Sequence, residues 1–355
     1  MRILAARLDN DGDVLLTGPA VRALAAAGTV DVLASPSGAG AARLLPGVAD
    51  VLVFDPPWSG FSPAPVDADA VQDLVARVRG GGYDEAVVFT SFHQSPLPLA
   101  LLLRLAGVRR ISATSEDYPG SLLDVRHRRE GTQRADVGEA EAALDLAAAA
   151  GFGLPAGDDG RLRVLTTAAP PDGLPDSYVV VHPGASVPAR APLPGQAAGI
   201  VEALVHAGRD VVVTGGPGER ELTAAVAGGR AVDLGGRTDL PGLAAVLAAA
   251  EAVVVGNTGP AHLAAAVGTP VVSLFAPVVP AARWAPHGVP HVLLGDQSAP
   301  CRGTRARECP VPGHPCLAGV SAREVVAAVD ALAPPVPGAV VEEAVRGNAP
   351  AGRTS

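Results

Sequence analysis

The chain has 355 residues, of which 48% are hydrophobic and 3% aromatic, and its 27 basic and 36 acidic residues give a net charge of −9. This length accommodates two domains of ordinary size. The acidic balance and the scarcity of aromatic rings exclude a broad basic surface on which nucleic-acid bases could stack.

The two apolar stretches that could act as a secretory signal or a membrane-spanning helix are each interrupted, the first by charged residues and the second by glycines and prolines. Arg7, Asp9 and Asp11 break the apolar run that a secretory signal would need, so the sequence predicts a cytoplasmic protein. The apolar stretch 240–282 is cut by glycines and prolines and leaves no run of about 18 apolar residues, the length of a membrane-spanning helix. We therefore expect at most peripheral contact with a membrane.

The first half alternates short β-branched runs with Ala/Leu-rich helical stretches. In chain order these are predicted as strand Arg2–Ala6, helix Val14–Ala27, strands Val30–Ala34 and Val51–Phe54, helix Ala68–Arg79, strand Glu85–Thr90, helix Pro96–Ala106, strand Arg110–Ala113 and helix Glu139–Ala150. Strands with continuous rather than alternating apolar residues are typical of a parallel sheet covered by helices on both faces.

The same alternation resumes after Thr166–Asp176, a Pro-rich segment without periodic pattern that is predicted to link two domains. The predicted elements are strand Tyr178–Val181, helix Ala197–Ala207, strand Asp210–Val213, helix Glu219–Ala227, strand Val232–Leu234, helix Leu240–Ala249, strand Ala252–Val255, helix Pro260–Ala266, strand Val271–Phe275 and helix Ser321–Leu332. The sequence thus predicts two Rossmann-like, doubly wound domains over residues 1–168 and 177–333, with a flexible tail at 334–355. Their ligand site should lie in the cleft where the carboxyl ends of both sheets face each other.

Three aspartates follow the first predicted strand. Asp9, Asp11 and Asp13 lie between a strand and a helix, where one of them, Asp11 or Asp13, could cap the helix. Carboxylates at the end of a strand also fit a general base or a metal site. Their spacing does not match a calcium-binding loop, which is longer and ends in Glu.

Two small-residue loops in the second half are candidate phosphate or ribose sites. Gly184, Ala185 and Ser186 follow a strand, so their amides could approach a phosphate, and Arg190 would add positive charge. The second loop contains the residues Gly215, Gly216, Glu219 and Glu221. Its two carboxylates could bind ribose hydroxyls, or they could be solvated residues favoured by the helix dipole.

The most specific stretch follows the strand at 252–255. Its turn and first helical residues are Asn257, Thr258, Gly259, Pro260 and His262. Proline suits the first turn of a helix, and the helix N-terminus is an anion site by construction. We expect His262, in that first turn, to face the same ligand.

These segments together resemble glycosyltransferase family 9, the ADP-heptose:lipopolysaccharide heptosyltransferase family with the GT-B fold. The resemblance extends over residues 1–332 and includes Phe275-Ala276-Pro277 and Arg283-Trp284-Ala285-Pro286. It implies an inverting, metal-independent transfer of a sugar, with heptose favoured, from a nucleotide-diphosphate donor such as ADP-heptose to a hydroxyl of a glycan or glycolipid acceptor. No cofactor is implied.

The resemblance also assigns roles to individual residues. Asp13 matches the catalytic base and Arg190 the cation that stabilises the leaving diphosphate. The turn that begins at Asn257 matches the diphosphate site, although the family usually has Asp at this position, and Glu221 matches the ribose-binding acid. The first domain is then the acceptor domain and the second the nucleotide-sugar domain.

Further candidates rest on position alone. Gly12, Asp11, His93 and Asp117 lie at carboxyl ends of predicted strands in the first half and are acceptor-site candidates, or solvated loop residues.

Four soft or borderline metal ligands occur near the end of the predicted second domain. Cys301, Cys309, His314 and Cys316 lie within sixteen positions and could form a structural zinc site, although their spacing is that of no usual zinc finger.

Two alternatives to glycosyl transfer remain open on the residues. A nucleotide-sugar epimerase of the same architecture would need additional acid–base carboxylates, for which Asp9 and Asp11 are available. A nucleotide-sugar-binding protein without turnover is the other, and Asn257 favours it. A dinucleotide oxidoreductase is disfavoured because no Gly-x-Gly-x-x-Gly follows the first strand.

Overall fold

The computed structural model describes residues 1–60, 63–91, 93–129, 137–166 and 168–334, which form two α/β units, each built on a six-stranded parallel sheet. The elements of the first unit are β1 Arg2–Arg7, α1 Asp11–Ala25, β2 Thr29–Ala34, α2 Ala39–Leu44, β3 Val48–Val53, α3 Ala68–Gly81, β4 Glu85–Phe89, α4 Leu97–Leu105, β5 Arg110–Thr114, β6 Val125–His127 and α5 Glu139–Ala150. The predicted tail lies outside the described residues from position 335 on.

The second unit repeats this plan. Its elements are β7 Val179–His182, α6 Pro194–His206, β8 Val211–Val213, α7 Arg220–Ala227, β9 Val232–Asp233, α8 Leu240–Ala248, β10 Ala252–Gly256, α9 Gly259–Val267, β11 Val271–Leu274, α10 Ala281–Trp284, β12 His291–Leu294, α11 Pro315–Ala318 and α12 Ala322–Leu332. Short 3₁₀ turns at Pro188–Arg190 and Pro217–Glu219 follow β7 and β8.

The two sheets have equivalent strand orders. The first is β3-β2-β1-β4-β5-β6 and the second is β12-β11-β10-β7-β8-β9, and all neighbouring strands are parallel. In each sheet the chain starts in the middle, moves outward, and then crosses back to the other side. The order therefore reverses between β1 and β4, and between β7 and β10, which is where open α/β sheets bind ligands. The predicted doubly wound parallel architecture is confirmed.

The central strands are buried on both faces, which explains why their continuous apolar runs allowed them to be predicted from the sequence. All four residues of β7 and all five of β10 are buried, so both faces of the strand must be apolar or small. The elements that the sequence reading missed are short or partly exposed: α2, β6, α10, β12 and α11. Helix α1 begins at Asp11 rather than at the predicted Val14, so Asp11 and Asp13 belong to its first turn.

The two units pack directly on each other through α1 and α9. Val14 and Leu15 of α1 share one buried cluster with Ala261 and Leu263 of α9. A Cβ on Gly12 would lie 3.1 Å from the Cα of Gly259, so the first turns of the two helices meet at a close backbone crossing. The carboxyl ends of the two sheets consequently face each other.

The chain between α5 and β7 has no helix or strand among its described residues. It is bound first to one unit and then to the other. Leu165 donates its amide to the carbonyl of Leu44, at the end of α2, whereas the hydroxyl of Ser177 donates to Glu251 beside β10. In the described part of the chain no helix combines the length and apolar character needed to span a bilayer.

Candidate active site

A cavity of about 520 Å³ lies between the two units at the carboxyl ends of the strands. The first unit lines it with Asp13, Trp58 and His93, among others, and the second unit with Ser186, Arg190 and Trp284. The cavity is thus bounded by the loops that follow β1, β4 and β7, where both strand orders reverse. This places the candidate base and the candidate cation on facing walls of one space.

Asp13 is held by a buried arginine that the sequence reading did not identify. Arg7, the last residue of β1, is 3% exposed and its Nη2 lies 3.1 Å from Oδ1 of Asp13. Its Nε lies 2.7 Å from Oδ2 of Asp9, and its Nη2 donates to the hydroxyl of Ser91 at 2.9 Å. Burial disfavours the charged guanidinium, but these carboxylates outweigh it and raise the pKa of Arg7, so the arginine stays charged.

Asp9 is anchored rather than free. Besides the ion pair with Arg7, its Oδ1 accepts a hydrogen bond from Nε2 of Gln94 at 2.6 Å. Burial raises its pKa above the ordinary range, while Arg7 opposes this shift. Asp9 therefore fixes Arg7, whereas the carboxylate of Asp13 remains about one-fifth exposed at the cavity.

The interpretation of Asp11 or Asp13 as the cap of α1 is wrong. Asn10 occupies the N-cap position without a side-chain capping bond. Asp11 instead accepts a hydrogen bond from the amide of Ala41 at 2.9 Å, in the first turn of α2. Its carboxylate thus ties α1 to α2, and Gly12 lies at the crossing with the second unit.

Arg190 ends the 3₁₀ turn after β7 and reaches the cavity from the second unit. Its Nε is buried without a hydrogen-bond partner among the described residues. Burial lowers its pKa, and the negative charge of Asp13 opposes that shift, so the two groups interact across the cavity. A Cβ on Gly256 would lie 2.3 Å from the carbonyl oxygen of Arg190, so glycine at the end of β10 lets this turn approach.

Helix α9 has an open N-terminus next to Arg190. Thr258 is the N-cap residue with extended backbone, and its Oγ1 is buried without a hydrogen-bond partner in the described ranges. Gly259 and Pro260 are the first helical residues. The amide of Ala261 donates to the carbonyl of Thr258, and Pro260 has no N–H, so the hydroxyl of Thr258 is a donor available to an anion at this helix N-terminus.

His262 is buried within α9 rather than exposed to the cavity. It is 5% exposed, and a Cβ on Gly12 would lie 3.1 Å from its Cδ2. Burial, together with the positive charge of Arg190, lowers its pKa to about 4, so the ring is neutral near pH 7. Its Nδ1 has no hydrogen-bond partner among the residues described.

The side chain of Asn257 binds the protein backbone rather than facing the cavity. Its Nδ2 donates to the carbonyl of Ala276 at 3.2 Å, and its Oδ1 accepts from the amide of the same residue at 3.1 Å. The side chain is 4% exposed. It clamps the end of β10 to the chain beyond β11, a pairing that needs both a donor and an acceptor and that aspartate could not reproduce.

The carboxylate of Glu219 contacts residues of both loops, the one after β7 and the one after β8. Its Oε2 accepts a hydrogen bond from the amide of Gly216 at 2.7 Å and lies 3.9 Å from Nε2 of His182. A Cβ on Gly184 would collide with this carboxylate, and one on Gly215 would lie 2.6 Å from Cγ2 of Thr223. The glycines are therefore needed for close packing of the two loops.

Of the remaining predicted residues, Ser186 and His93 line the cavity, whereas Ala185, Glu221 and Asp117 are not among its lining residues. Ala185 is half-buried and Ser186 exposed at the cavity, while Glu221 is exposed on the first turn of α7. His93 lines the cavity after β4. Asp117 is exposed in the turn after β5, where its carbonyl accepts from Ser115.

Two cavity residues of the second unit that carry hydrogen-bond donors, Trp284 and Arg305, were not among the predicted site residues. Arg305 has a left-handed backbone (φ 56°) and lines the cavity, and its charge acts on both Arg190 and His93. Trp284, in α10, has its Nε1 3.5 Å from Oδ1 of Asp13. The Arg283-Trp284 pair was visible in the sequence, but nothing local indicated which unit it contacts.

Cys301 and Cys316 pack in a buried cluster of the second unit, whereas Arg305 of the same segment lines the cavity. Cys301 and Cys316 are buried, and burial together with the neighbouring Cys301 raises the pKa of Cys316 to about 12, which favours the neutral thiol. Within the described ranges, no three His, Cys, Asp or Glu side chains converge as ligands for one metal ion.

Comparison with known proteins adds an independent observation. The model of glycosyltransferase family 9 (heptosyltransferase) matches residues 73–313. Lipopolysaccharide heptosyltransferase 3 of Escherichia coli is 30% identical over 171 residues, or 46% of this chain and 48% of that protein. The match thus spans about half the length of this curated relative.

Solved structures are similar over nearly the whole chain. ADP-heptose lipopolysaccharide heptosyltransferase II of E. coli has a TM-score of 0.69 at 20% identity, covering 94% of this chain and 98% of that one. E. coli heptosyltransferase WaaC with ADP has 0.70 at 19%, covering 94% and 100%. A family 9 glycosyl transferase of Veillonella parvula has 0.73 at 17%, covering 93% and 96%. The fold is therefore that of these proteins, the expected GT-B arrangement.

Proposed function

This chain belongs to glycosyltransferase family 9, and on that premise we propose that it transfers a heptose from ADP-heptose to a hydroxyl of a glycan or glycolipid, with inversion at the anomeric carbon. The observation that carries the proposal is the pairing of Asp13 and Arg190 on opposite walls of one cavity. The donor is argued from relatives, because WaaC is solved with ADP and with an ADP-heptose analogue.

Asp13 is the proposed general base. It removes the proton from the acceptor hydroxyl, whose oxygen attacks the anomeric carbon as the bond to the diphosphate breaks. A single displacement of this kind inverts the configuration. Arg7 keeps the carboxylate in place, since the guanidinium is itself immobilised by Asp9 and Ser91.

The leaving diphosphate needs positive charge on the opposite wall. Among the described residues, the buried Nε of Arg190 and the hydroxyl of Thr258 at the N-terminus of α9 have no hydrogen-bond partner. On this proposal, both donors are in place before the reaction and stabilise the negative charge that develops on the leaving diphosphate. We propose that they replace the divalent metal that other glycosyltransferases use.

The alternative of an epimerase is less well supported by the geometry. It relied on Asp9 and Asp11 as additional acid–base groups. Asp9 is occupied by Arg7 and Gln94, and Asp11 by the amide of Ala41. Asp9 and Asp13 both line the cavity and both pair with Arg7, but the side chain of Asp13 is the more exposed, at 21% against 11%.

The decisive experiment compares Asp13→Asn with Asp55→Asn, a matched carboxylate that also lines the cavity but is exposed. Incubation with ADP-heptose should show donor turnover by the wild-type chain, measured as release of ADP. Asp13→Asn should slow it by about 10²–10⁴-fold, the range for losing a general base, while Asp55→Asn retains activity. ADP affinity should persist in both. Equal rates for Asp13→Asn and wild type would remove Asp13 from the mechanism.

A second experiment tests the diphosphate site. Turnover should continue in excess EDTA, and Arg190→Ala should slow it while the circular dichroism spectrum stays unchanged. Thr258→Val should weaken ADP binding to the full chain in calorimetry, because the hydroxyl is lost and the shape is kept. Activity that disappears in EDTA and returns with Mg²⁺ would show that a metal neutralises the leaving group.

A further inference from the structure

Helix α10 belongs to the second unit and contacts the first unit at two points. It has only four residues, yet two of them contact the first unit through side chains. Arg283 Nη1 lies 3.1 Å from Oε1 of Glu139, and the indole Nε1 of Trp284 lies 3.5 Å from Oδ1 of Asp13. Adjacent residues of one turn therefore bind the helix α5 and the candidate base at the same time.

The ion pair between Glu139 and Arg283 is buried. The side chains are 1% and 8% exposed, although the pair joins two separately built units. Glu139 is the first residue of α5, where the helix dipole favours a carboxylate. Because Arg283 and Glu139 belong to different units, the pair breaks and both charges become hydrated when the units separate. The ion pair therefore forms only in the relative position of the units seen here.

Glu139 also acts on the arginine that holds Asp13. Its charge is among those that raise the pKa of Arg7, and its Oε2 lies 3.9 Å from Nη2 of Arg129. The carboxylate of Glu139 thus forms an ion pair with Arg283 of the second unit and also interacts with Arg7, the arginine that binds Asp13.

We propose that Glu139 and Arg283 are positioning residues that lock α10 onto the first unit and thereby place the Trp284 indole against the Asp13 carboxylate. The inference rests on the proposed function for the role of Asp13, but the contact itself does not. Alignment of the base then depends on the relative position of the units. A donor bound to the second unit alone would meet no aligned base until the lock has formed.

The test uses Trp284 as its own reporter, since Trp58 is the other tryptophan of the chain. In a Trp58→Phe background, Arg283→Met should shift the emission of Trp284 to longer wavelength, because the indole gains access to water. Glu139→Gln, a milder change that keeps the shape, should shift it in the same direction. Arg209→Met is the matched control, because Arg209 is also buried and paired with carboxylates, Glu251 and Asp330, but within the second unit.

Kinetics on variants with Trp58 intact provide the second readout. Arg283→Met and Glu139→Gln should each lower kcat by roughly 10–100-fold, as expected for a misplaced catalytic group, with the affinity for ADP unchanged. Their double variant should be no slower than the worse single one, because one contact is lost in all three. Arg209→Met should leave both kcat and the emission unchanged.

Unchanged Trp284 emission in Arg283→Met and in Glu139→Gln would overturn the proposal. So would losses of kcat that multiply in the double variant. If the chain turned over no nucleotide-sugar at all, the proposed function would fail, while the emission shift would still decide whether the lock exists.

Discussion

Replacement of Arg7 by methionine is the perturbation that most directly tests the proposed support of Asp13. Arg7 is 3% exposed and lies within 2.7 Å of Asp9 and 3.1 Å of Asp13, with a further hydrogen bond to Ser91. Methionine has a similar length but leaves two neighbouring carboxylates without their cation. Breaking a buried ion pair from one side costs about 3–5 kcal/mol. Since domains are stable by only about 5–15 kcal/mol, this loss is a large fraction.

Urea unfolding followed by circular dichroism measures the effect on the full chain. Arg43→Met, an exposed arginine on the same unit, is the control and should change the free energy of unfolding by less than about 0.5 kcal/mol. Asp9→Asn added to Arg7→Met should recover about 2 kcal/mol, because it removes one of the uncompensated charges. An Arg7→Met variant as stable as Arg43→Met would show that Arg7 does not hold the carboxylates, and the account of Asp13 would be wrong.

Three other variants test the packing around the site. Asn257→Asp should lower the free energy of unfolding by about 1–3 kcal/mol in urea, because the backbone carbonyl beyond β11 loses its donor; an unchanged value would contradict the clamp. Gly12→Val should cost about 1–3 kcal/mol of unfolding free energy by crowding His262. Gly80→Val in α3, where a Cβ meets open space, should not lower the free energy of unfolding, because valine has a higher helix propensity than glycine. The hydrogen bond from Arg22 lowers the pKa of Asp158 to about 2, so this carboxylate stabilises the fold above its unfolded pKa near 4 and loses that effect as the pH falls toward 2. Asp158→Asn should therefore reduce, by about 2 kcal/mol, the difference in unfolding free energy measured between pH 5 and pH 2.

The alternation of buried strands with helices could be predicted from the sequence, because the residues of each element must suit the surroundings of that element alone. A strand covered on both faces must be apolar throughout, as Val179–Val181 and Val253–Val255 are, and small residues must follow where another backbone approaches. The predicted turn at Asn257–Pro260 and the position of Asp13 shortly after the first strand followed from the same rules. These features depend on neighbours in the chain, so a pattern could reveal them.

The function of individual side chains at the site did not follow from such patterns. Asp11 and Asn257 were predicted ligand-site residues, yet their polar atoms bind backbone of the protein itself. Arg7 was visible only as a charge that interrupts an apolar run. Whether a polar side chain binds a ligand or a buried amide depends on what lies opposite it, and that is not a local property.

The sequence by itself determined the two-unit, parallel α/β architecture and the kind of loops that end its strands, because both depend on short-range apolar pattern and on glycine or proline in turns. Tertiary structure alone decided which polar groups meet across the cleft. Trp284 and Asp13 are 271 positions apart, and Arg283 and Glu139 are 144 apart. The attraction between such groups is strong only where water is excluded around them, and this happens only after the two sheets have folded and their carboxyl ends face each other.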